Sequence, residues 1–239
     1  MKKAVFAVGR FQPPTVGHAL MIQEVMKYGG DAFIFVSSAI SPKSQNPLTV
    51  TQKITALQKM FPIGVTFVDT ATCEPKCGGP VAANEYLRSK EYTDITLIAG
   101  SDRAAIFGPK ADMWKSGISK GVAAPNFKGL ERTTGVGATS MSGTKARKLA
   151  LDGNYEGFAA AVRIGEIDDA GIRELYNAIR STTKGGVKGG DSSELSSFDA
   201  DMEGGRRRTR RVKKSKASSR ALYHRGLRSR TGSSKTSRS

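Results

Sequence analysis

Residues 9–18 read Gly9-Arg10-Phe11-Gln12-Pro13-Pro14-Thr15-Val16-Gly17-His18, and this stretch decides the fold of the chain. The residues before it, 3–8, form an apolar run that is typical of a strand buried on both faces. The residues after it, 19–26, carry apolar side chains at helical spacing. The pattern therefore predicts a buried strand, a tight turn and a helix in direct succession.

The turn within this stretch predicts an anion site. We expect Gly9 to leave the strand at a φ that other residues avoid, while Pro13 and Pro14 stiffen the turn. Gly17 lets a ligand come close to the main chain. His18 falls at the helix N-terminus, where free N–H groups and the helix dipole favour phosphate and an imidazole adds a directed donor.

The same segment resembles the GRFxPxxxGH form of the (H/T)xGH motif of nucleotidyltransferases. Enzymes of that family transfer AMP or CMP from a nucleoside triphosphate to a phosphorylated acceptor and release pyrophosphate. The resemblance implies catalytic roles for Thr15 and His18, through hydrogen bonds to the α- and β-phosphates. The other motif residues that it implies in nucleotide or phosphate binding are Gly9, Arg10, Phe11 and Gly17.

A second anion cradle is predicted at Ser142-Gly143-Thr144-Lys145-Ala146-Arg147, where a helix begins. Hydroxyls and main-chain N–H groups meet there, and a guanidinium fork lies one turn into the helix. The segment resembles the SSTxxR or SGTxxR motif of the same family. The resemblance implies that Ser142, Thr144 and the catalytic Arg147 hold the phosphates that leave as pyrophosphate, although the hydroxyl at the helix start is also an ordinary N-cap.

Two weaker matches lie between these motifs. Lys43, in a polar loop after the second predicted strand, resembles a loop lysine of nicotinamide-nucleotide adenylyltransferases, and a solvated loop lysine is an equal alternative. Gly100 and Asp102 belong to a Gly-Ser-Asp-Arg segment that resembles one in phage and viral cytidylyltransferase-like proteins. The resemblance implies that Asp102 contacts a ribose or the acceptor, and an N-cap role is compatible with it.

The order of elements predicts an α/β fold, a Rossmann-like parallel sheet with helices on both faces. We expect its ligands outside the carboxyl ends of the strands, at the point where strand order reverses. The predicted strands are residues 3–8, 31–38, 65–69 and 95–100. The predicted helices are residues 19–26, 81–89, 142–151, 155–162 and 171–180 and one through Ile54, Leu57 and Met60, which Thr49 or Thr51 caps; Asp168 or Asp169 caps the last helix. Residues 121–139 are expected to form a Gly/Thr-rich connection.

Positive charge is concentrated at the C-terminal end. The 239 residues carry a formal net charge of +17, of which +11 falls in residues 184–239 and +6 in residues 1–183. We expect residues 1–183 to form the nucleotidyltransferase domain and residues 184–239 a disordered tail, because the tail cannot bury enough apolar surface to offset its ordering entropy. Its Arg/Lys clusters predict binding to nucleic acid or another polyanion, while a localisation signal or an acidic assembly surface stays open.

Apolar runs and the number of cysteines also indicate in which cellular compartment the protein is expected. No apolar run approaches the roughly 20 residues of a membrane span, so no membrane partner is expected. The first apolar run is too short and is interrupted too early for a signal peptide. Cys73 and Cys77 are too few for a disulfide framework or a zinc site, so we expect a plain loop and no protein metal site there. A reducing intracellular setting follows, cytoplasm or nucleus, with a virus-infected cell or a virion as open alternatives.

These features predict a nucleotidyltransferase that uses ATP or CTP with substrate-bound Mg²⁺. The acceptor expected first is nicotinamide mononucleotide, with cytidylyl transfer to another phosphorylated acceptor as an alternative. An anionic acceptor needs no strong base, so the task is alignment and charge neutralisation. The rival class is a non-catalytic, nucleotide-binding virion or nucleic-acid-associated protein. The sequence leaves the base, the acceptor and the oligomeric state open.

Overall fold

A computed structural model describes residues 1–39, 44–115, 122–131 and 141–182. Within these ranges there are five strands and seven α-helices, the last three of which follow β5 in succession. The strands are β1 Lys3–Gly9, β2 Asp31–Val36, β3 Thr66–Asp69, β4 Asp94–Gly100 and β5 Asn126–Leu130. The helices are α1 Val16–Lys27, α2 Val50–Met60, α3 Pro80–Ser89, α4 Ala104–Phe107, α5 Gly143–Leu151, α6 Tyr155–Val162 and α7 Asp169–Ser181.

The strands form one parallel sheet in the order β3-β2-β1-β4-β5. From β1 the chain builds the sheet outward to β2 and β3, and it then returns to add β4 on the other side of β1. The reversal of strand order therefore lies between β1 and β4. In open α/β sheets the crevice outside the carboxyl ends of such strands binds ligands, and residues 9–18 follow β1 directly at that edge.

Both faces of the sheet are covered, because successive side chains of β1 point into different hydrophobic clusters. Val5 and Ala7 pack with residues of α1, α2 and the three C-terminal helices. Ala4 and Phe6 pack with residues of α3 and α4 on the opposite face. The predicted Rossmann-like sheet with helices on both faces is therefore confirmed.

The helix starts follow the predicted caps. Thr49 caps α2, its hydroxyl accepting the Gln52 N–H while the Gln52 side chain accepts the Thr49 N–H. Asp168 caps α7 by accepting the Gly171 N–H at 2.8 Å. Ser142 caps α5 by accepting the Lys145 N–H at 3.2 Å. Of the two caps that the sequence left open at each of the helices α2 and α7, the structure has Thr49 and Asp168.

The fifth strand was not predicted. Asn126–Leu130, inside the segment expected to be a connection, pairs in parallel with β4. The strand is short and interrupted by Gly129, which obscures its apolar pattern. A Cβ atom at Gly129 would lie 3.1 Å from the Cα of Ser101, so the glycine admits the chain that follows β4.

The loop after β3 also differs from the prediction, since Cys73 and Cys77 form a disulfide there. The turn between them brings their Cα atoms to 5.9 Å, a separation that disulfides commonly span. Within the described ranges there is no helix long and apolar enough to cross a membrane and no cluster of three acidic, His or Cys side chains that could hold a metal. The predicted basic tail, residues 184–239, lies outside the described residues, and the domain boundary stays a prediction.

Candidate active site

The first loop begins where β1 ends. Phe11 has a φ of +49°, a left-handed backbone conformation that residues with side chains rarely adopt. Its ring is fully buried against Gly9, where a Cβ atom would come within 2.6 Å of the ring. Gly9 itself is not left-handed, so the predicted reason for this glycine was wrong: it is needed because the Phe11 ring occupies the space of a side chain. Since the ring is buried, Phe11 supports the loop from the core. This placement does not fit the nucleotide-binding role that the sequence predicts for Phe11.

His18 is the third residue of α1, and its imidazole is held on one side. Its Nδ1 accepts the main-chain N–H of Thr15 at 3.1 Å, and its ring centroid lies 5.0 Å from that of Phe11. Burial, with a smaller contribution from the Arg10 guanidinium, lowers the pKa of His18 to about 4. The imidazole is therefore neutral at pH 7. Because Nδ1 accepts a hydrogen bond, the ring proton lies on Nε2.

Arg10 supplies positive charge beside this imidazole. Its side chain is partly buried, and its charge is close enough to disfavour a second charge on His18. Among the residues that the structure describes, none forms a hydrogen bond or an ion pair with the Arg10 guanidinium. A half-buried cation without an acidic partner favours an anionic ligand. This agrees with the phosphate-binding role predicted for Arg10.

The second motif forms the N-terminus of α5. Gly143 and Thr144 are the first two helical residues, so their N–H groups have no partner within the helix. The guanidinium of Arg147 lies one turn further along, where it donates to the Thr144 hydroxyl at 3.1 Å. Ser142 is exposed at the helix start, and its hydroxyl oxygen faces the first turn. Hydroxyls, free N–H groups and a guanidinium are thus gathered as predicted.

The two motifs touch each other directly, although Thr15 and Met141, which are in contact, lie 126 positions apart along the chain. The Thr15 hydroxyl donates to the Met141 carbonyl at 2.8 Å, and the Arg147 guanidinium donates to the Gln12 carbonyl. A Cβ atom at Gly143 would lie only 2.8 Å from the Gln12 carbonyl oxygen. The absence of a side chain at Gly143 therefore allows the second motif to pack on the first.

Other predicted residues lie at the neighbouring strand end or outside the described structure. Gly100 ends β4, and Asp102 follows in the short 3₁₀ turn Ser101–Arg103, with its carboxylate 3.5 Å from Arg103 Nε. Both residues lie at the edge of the sheet from which residues 9–18 emerge, because β4 is paired with β1. Gly17 is the second residue of α1. Lys43 lies outside the described residues, so its predicted role stays a prediction.

The structure changes the role predicted for Thr15. The residue is completely buried, and its hydroxyl is engaged with Met141. A phosphate ligand needs a hydroxyl that faces the substrate, so the predicted direct contact does not fit this arrangement. Thr15 instead connects the two motifs.

Sequence reasoning missed two polar residues that organise the site. Gln12 is buried, and its amide group makes two hydrogen bonds with the main chain of Leu48, at 2.8 and 2.9 Å. Lys53, buried within α2, donates to the carbonyl of Ser37 just beyond β2. Burial lowers the pKa of Lys53 to about 8, against the opposing effect of Asp69. A polar residue inside an apolar helix pattern is the sequence signal that would have identified Lys53, whereas nothing in the sequence indicates the partner of Gln12.

Comparison with known proteins identifies a family that the first part of the chain resembles. A sequence model of the Cytidylyltransferase-like family matches residues 6–119, which contain the first motif. No curated protein matches the chain in sequence. The second motif lies beyond the matched residues, so its place in the site depends on the contacts described above.

Solved structures with a similar fold include the following three. Nicotinic acid mononucleotide adenylyltransferase from Plasmodium falciparum, complexed with APC, has a TM-score of 0.50 and 12% sequence identity, covering 74% of this chain and 98% of that one. The same enzyme complexed with NaAD has a TM-score of 0.50 and 13% sequence identity, and the match again covers 74% of this chain and 98% of that one. A putative nicotinate-nucleotide adenylyltransferase from Vibrio parahaemolyticus has a TM-score of 0.49 and 15% sequence identity, and the match covers 73% of this chain and 99% of that one. The match of residues 6–119 to the Cytidylyltransferase-like family model agrees with the resemblance to nucleotidyltransferases, and the solved structures share the fold.

Proposed function

We propose that this chain transfers a nucleotidyl group, AMP or CMP, from a nucleoside triphosphate to a phosphorylated small molecule. The observation that carries the proposal is the contact between the two motifs: the loop before His18 and the helix start before Arg147 pack on each other at the carboxyl end of β1. One triphosphate at this edge can reach both. Nicotinamide mononucleotide is the first acceptor to test, because solved structures of the same fold include nicotinic acid mononucleotide adenylyltransferases.

The reaction that this arrangement supports is a direct displacement. An oxygen of the acceptor phosphate forms a bond to the α-phosphorus, while the bond from that phosphorus to the bridging oxygen breaks and its electron pair leaves with pyrophosphate. Negative charge therefore grows on the bridging oxygen and on the departing phosphates. Preorganised donors and cations lower the barrier most where charge develops in the transition state.

The side chains divide this task by position. The Nε2–H of His18 donates to an α- or β-phosphate oxygen, and Arg10 neutralises charge on the same side. Arg147, Ser142 and Thr144, with the free N–H groups of α5, hold the departing β- and γ-phosphates. Gly100 and Asp102, across the reversal point, face the nucleoside or acceptor.

Magnesium would arrive with the triphosphate. The residues at the site offer cations, hydroxyls and N–H groups, which suit phosphate oxygens, and the described residues contain no cluster of acidic side chains that would hold the ion by themselves. A magnesium ion held by substrate phosphates and water fits such a donor set. When bound, it supplies further charge neutralisation on the phosphates.

The test is pyrophosphate release by the full chain. We would incubate it with Mg²⁺ and ATP or CTP, each combined with nicotinamide mononucleotide, nicotinic acid mononucleotide or other phosphorylated acceptors. The His18→Ala variant should lower kcat by a factor on the order of 10² or more, as is typical when one preorganised donor is lost. Absence of acceptor-dependent pyrophosphate release for every pair would favour the rival proposal, a non-catalytic nucleotide-binding protein associated with nucleic acid or a virion.

A second function is proposed for the cationic tail, residues 184–239, whose net charge is +11. We propose that it binds nucleic acid or another polyanion through phosphate contacts, at an intracellular location. Such binding is electrostatic and releases counterions, so its affinity for DNA should fall steeply between about 50 and 200 mM salt. An affinity that does not change with salt would contradict this proposal.

A further inference from the structure

The main-chain N–H and the side-chain hydroxyl of Thr15 face different motifs. Its main-chain N–H points to Nδ1 of His18 at 3.1 Å, and its hydroxyl lies 2.8 Å from the carbonyl oxygen of Met141. The residue has no exposed surface, so neither group is available to solvent or substrate. Thr15 therefore differs from a ligand-binding residue, whose polar groups would be exposed to the substrate.

The direction of each hydrogen bond follows from chemistry. A main-chain N–H can only donate, so Nδ1 of His18 is the acceptor and carries no proton. A carbonyl oxygen can only accept, so the Thr15 hydroxyl proton points to Met141. The Thr15 oxygen also lies 2.9 Å from Nδ1, which places the hydroxyl beside the ring as well as beside the second motif.

We propose that Thr15 is a positioning residue that couples the second motif to the orientation and tautomer of His18, instead of a phosphate ligand. The main-chain contact keeps the proton of the neutral imidazole on Nε2, the nitrogen on the far side of the ring. The hydroxyl contact fixes Met141, which immediately precedes the cap of α5. Displacement of α5 would therefore be transmitted to the imidazole through one side chain. The link to turnover depends on the proposed function, whereas the link to the imidazole does not.

Protonation of the ring would disrupt this arrangement. A proton on Nδ1 would face the Thr15 N–H and would be accepted by the Thr15 hydroxyl oxygen, 2.9 Å away, so the main-chain hydrogen bond to Nδ1 would be lost. Burial and the Arg10 charge act in the same direction by lowering the pKa of His18. Burial and the Arg10 charge therefore favour a neutral imidazole, and the main-chain hydrogen bond to Nδ1 places its proton on Nε2.

The experiment is a ¹⁵N spectrum of the histidine rings in the full chain without substrate. The chain has two histidines, and the His18→Ala variant identifies the signals of His18 by their loss. At pH 7 we expect an unprotonated Nδ1 and a protonated Nε2. The opposite tautomer, or a positively charged ring, would overturn the proposal without any measurement of turnover.

Three variants test the role of the hydroxyl. Thr15→Val keeps the shape and the main-chain N–H but removes the donor to Met141, so the His18 signals should shift or broaden in the free protein. Thr15→Ser should restore them. Thr49→Val, which removes the hydroxyl of the N-cap of α2, is the control and should leave them unchanged.

Kinetics of the same variants completes the test. Thr15→Val should lower kcat on the order of tenfold with a small change in KM for the triphosphate, because alignment is lost and not a phosphate contact. His18 signals that are unchanged in Thr15→Val, together with a higher KM, would show a phosphate ligand and overturn the proposal. A chain that shows the expected spectra but releases no pyrophosphate would refute the proposed function alone.

Discussion

Replacing Gly143 with alanine should impair turnover with little change in helix stability. The added Cβ atom would lie 2.8 Å from the Gln12 carbonyl oxygen, and ordinary contact begins at 3.4 Å, so the two motifs must separate by about 0.6 Å. A 1 Å displacement of catalytic groups can cost about 10²-fold in rate, so this separation should cost on the order of tenfold. Alanine is the better helix former, so α5 itself should not be weakened.

The assay is pyrophosphate release, with thermal unfolding measured on the same samples. Gly78→Ala is the matched control, because a Cβ atom there would meet no atom within 4 Å. We expect the control to retain wild-type turnover. If Gly143→Ala also retained it, close contact between the motifs would not matter for catalysis, and the reasoning would be refuted.

Three further predictions concern charge, pH and buried hydrogen bonds. Arg147→Lys keeps the charge but loses the planar fork, so pyrophosphate release should fall on the order of 10²-fold, and an unchanged rate would refute the role of the guanidinium. The folded-state pKa of His18, about 4, is below its ordinary value of 6.5, so the unfolded chain takes up this proton first as pH falls. The free energy of unfolding should therefore decrease from pH 6.5 to 4, and His18→Ala should reduce that dependence in urea titrations. Gln12→Ala leaves two buried main-chain groups of Leu48 unpaired and should cost about 2–4 kcal/mol of stability, with a loss below 1 kcal/mol arguing against this clamp.

The strands and helices were predictable where the apolar pattern is strong. The buried run in β1 and the helical spacing in α1 identify their elements without ambiguity, and caps such as Thr49 mark where helices begin. β5 was missed because five residues with a glycine at the fourth position do not present a periodic pattern. Its formation depends on pairing with β4, which is a tertiary effect.

The residue types of the candidate site were predictable, but some of their roles were not. His18 and Arg147 follow from motif spacing, and both lie in segments that meet. The burial of Phe11 and Thr15 could not be inferred, because it depends on a positive φ and on a carbonyl 126 positions away. The disulfide between Cys73 and Cys77 likewise depends on the path of the turn, which composition does not specify.

The most direct measurement is a crystal structure of the full chain with Mg²⁺ and a non-hydrolysable ATP or CTP analogue. We predict one triphosphate within hydrogen-bonding distance of both His18 Nε2 and the Arg147 guanidinium, outside the carboxyl end of β1. A triphosphate bound elsewhere, or one that contacts only one of these two side chains, would contradict the account.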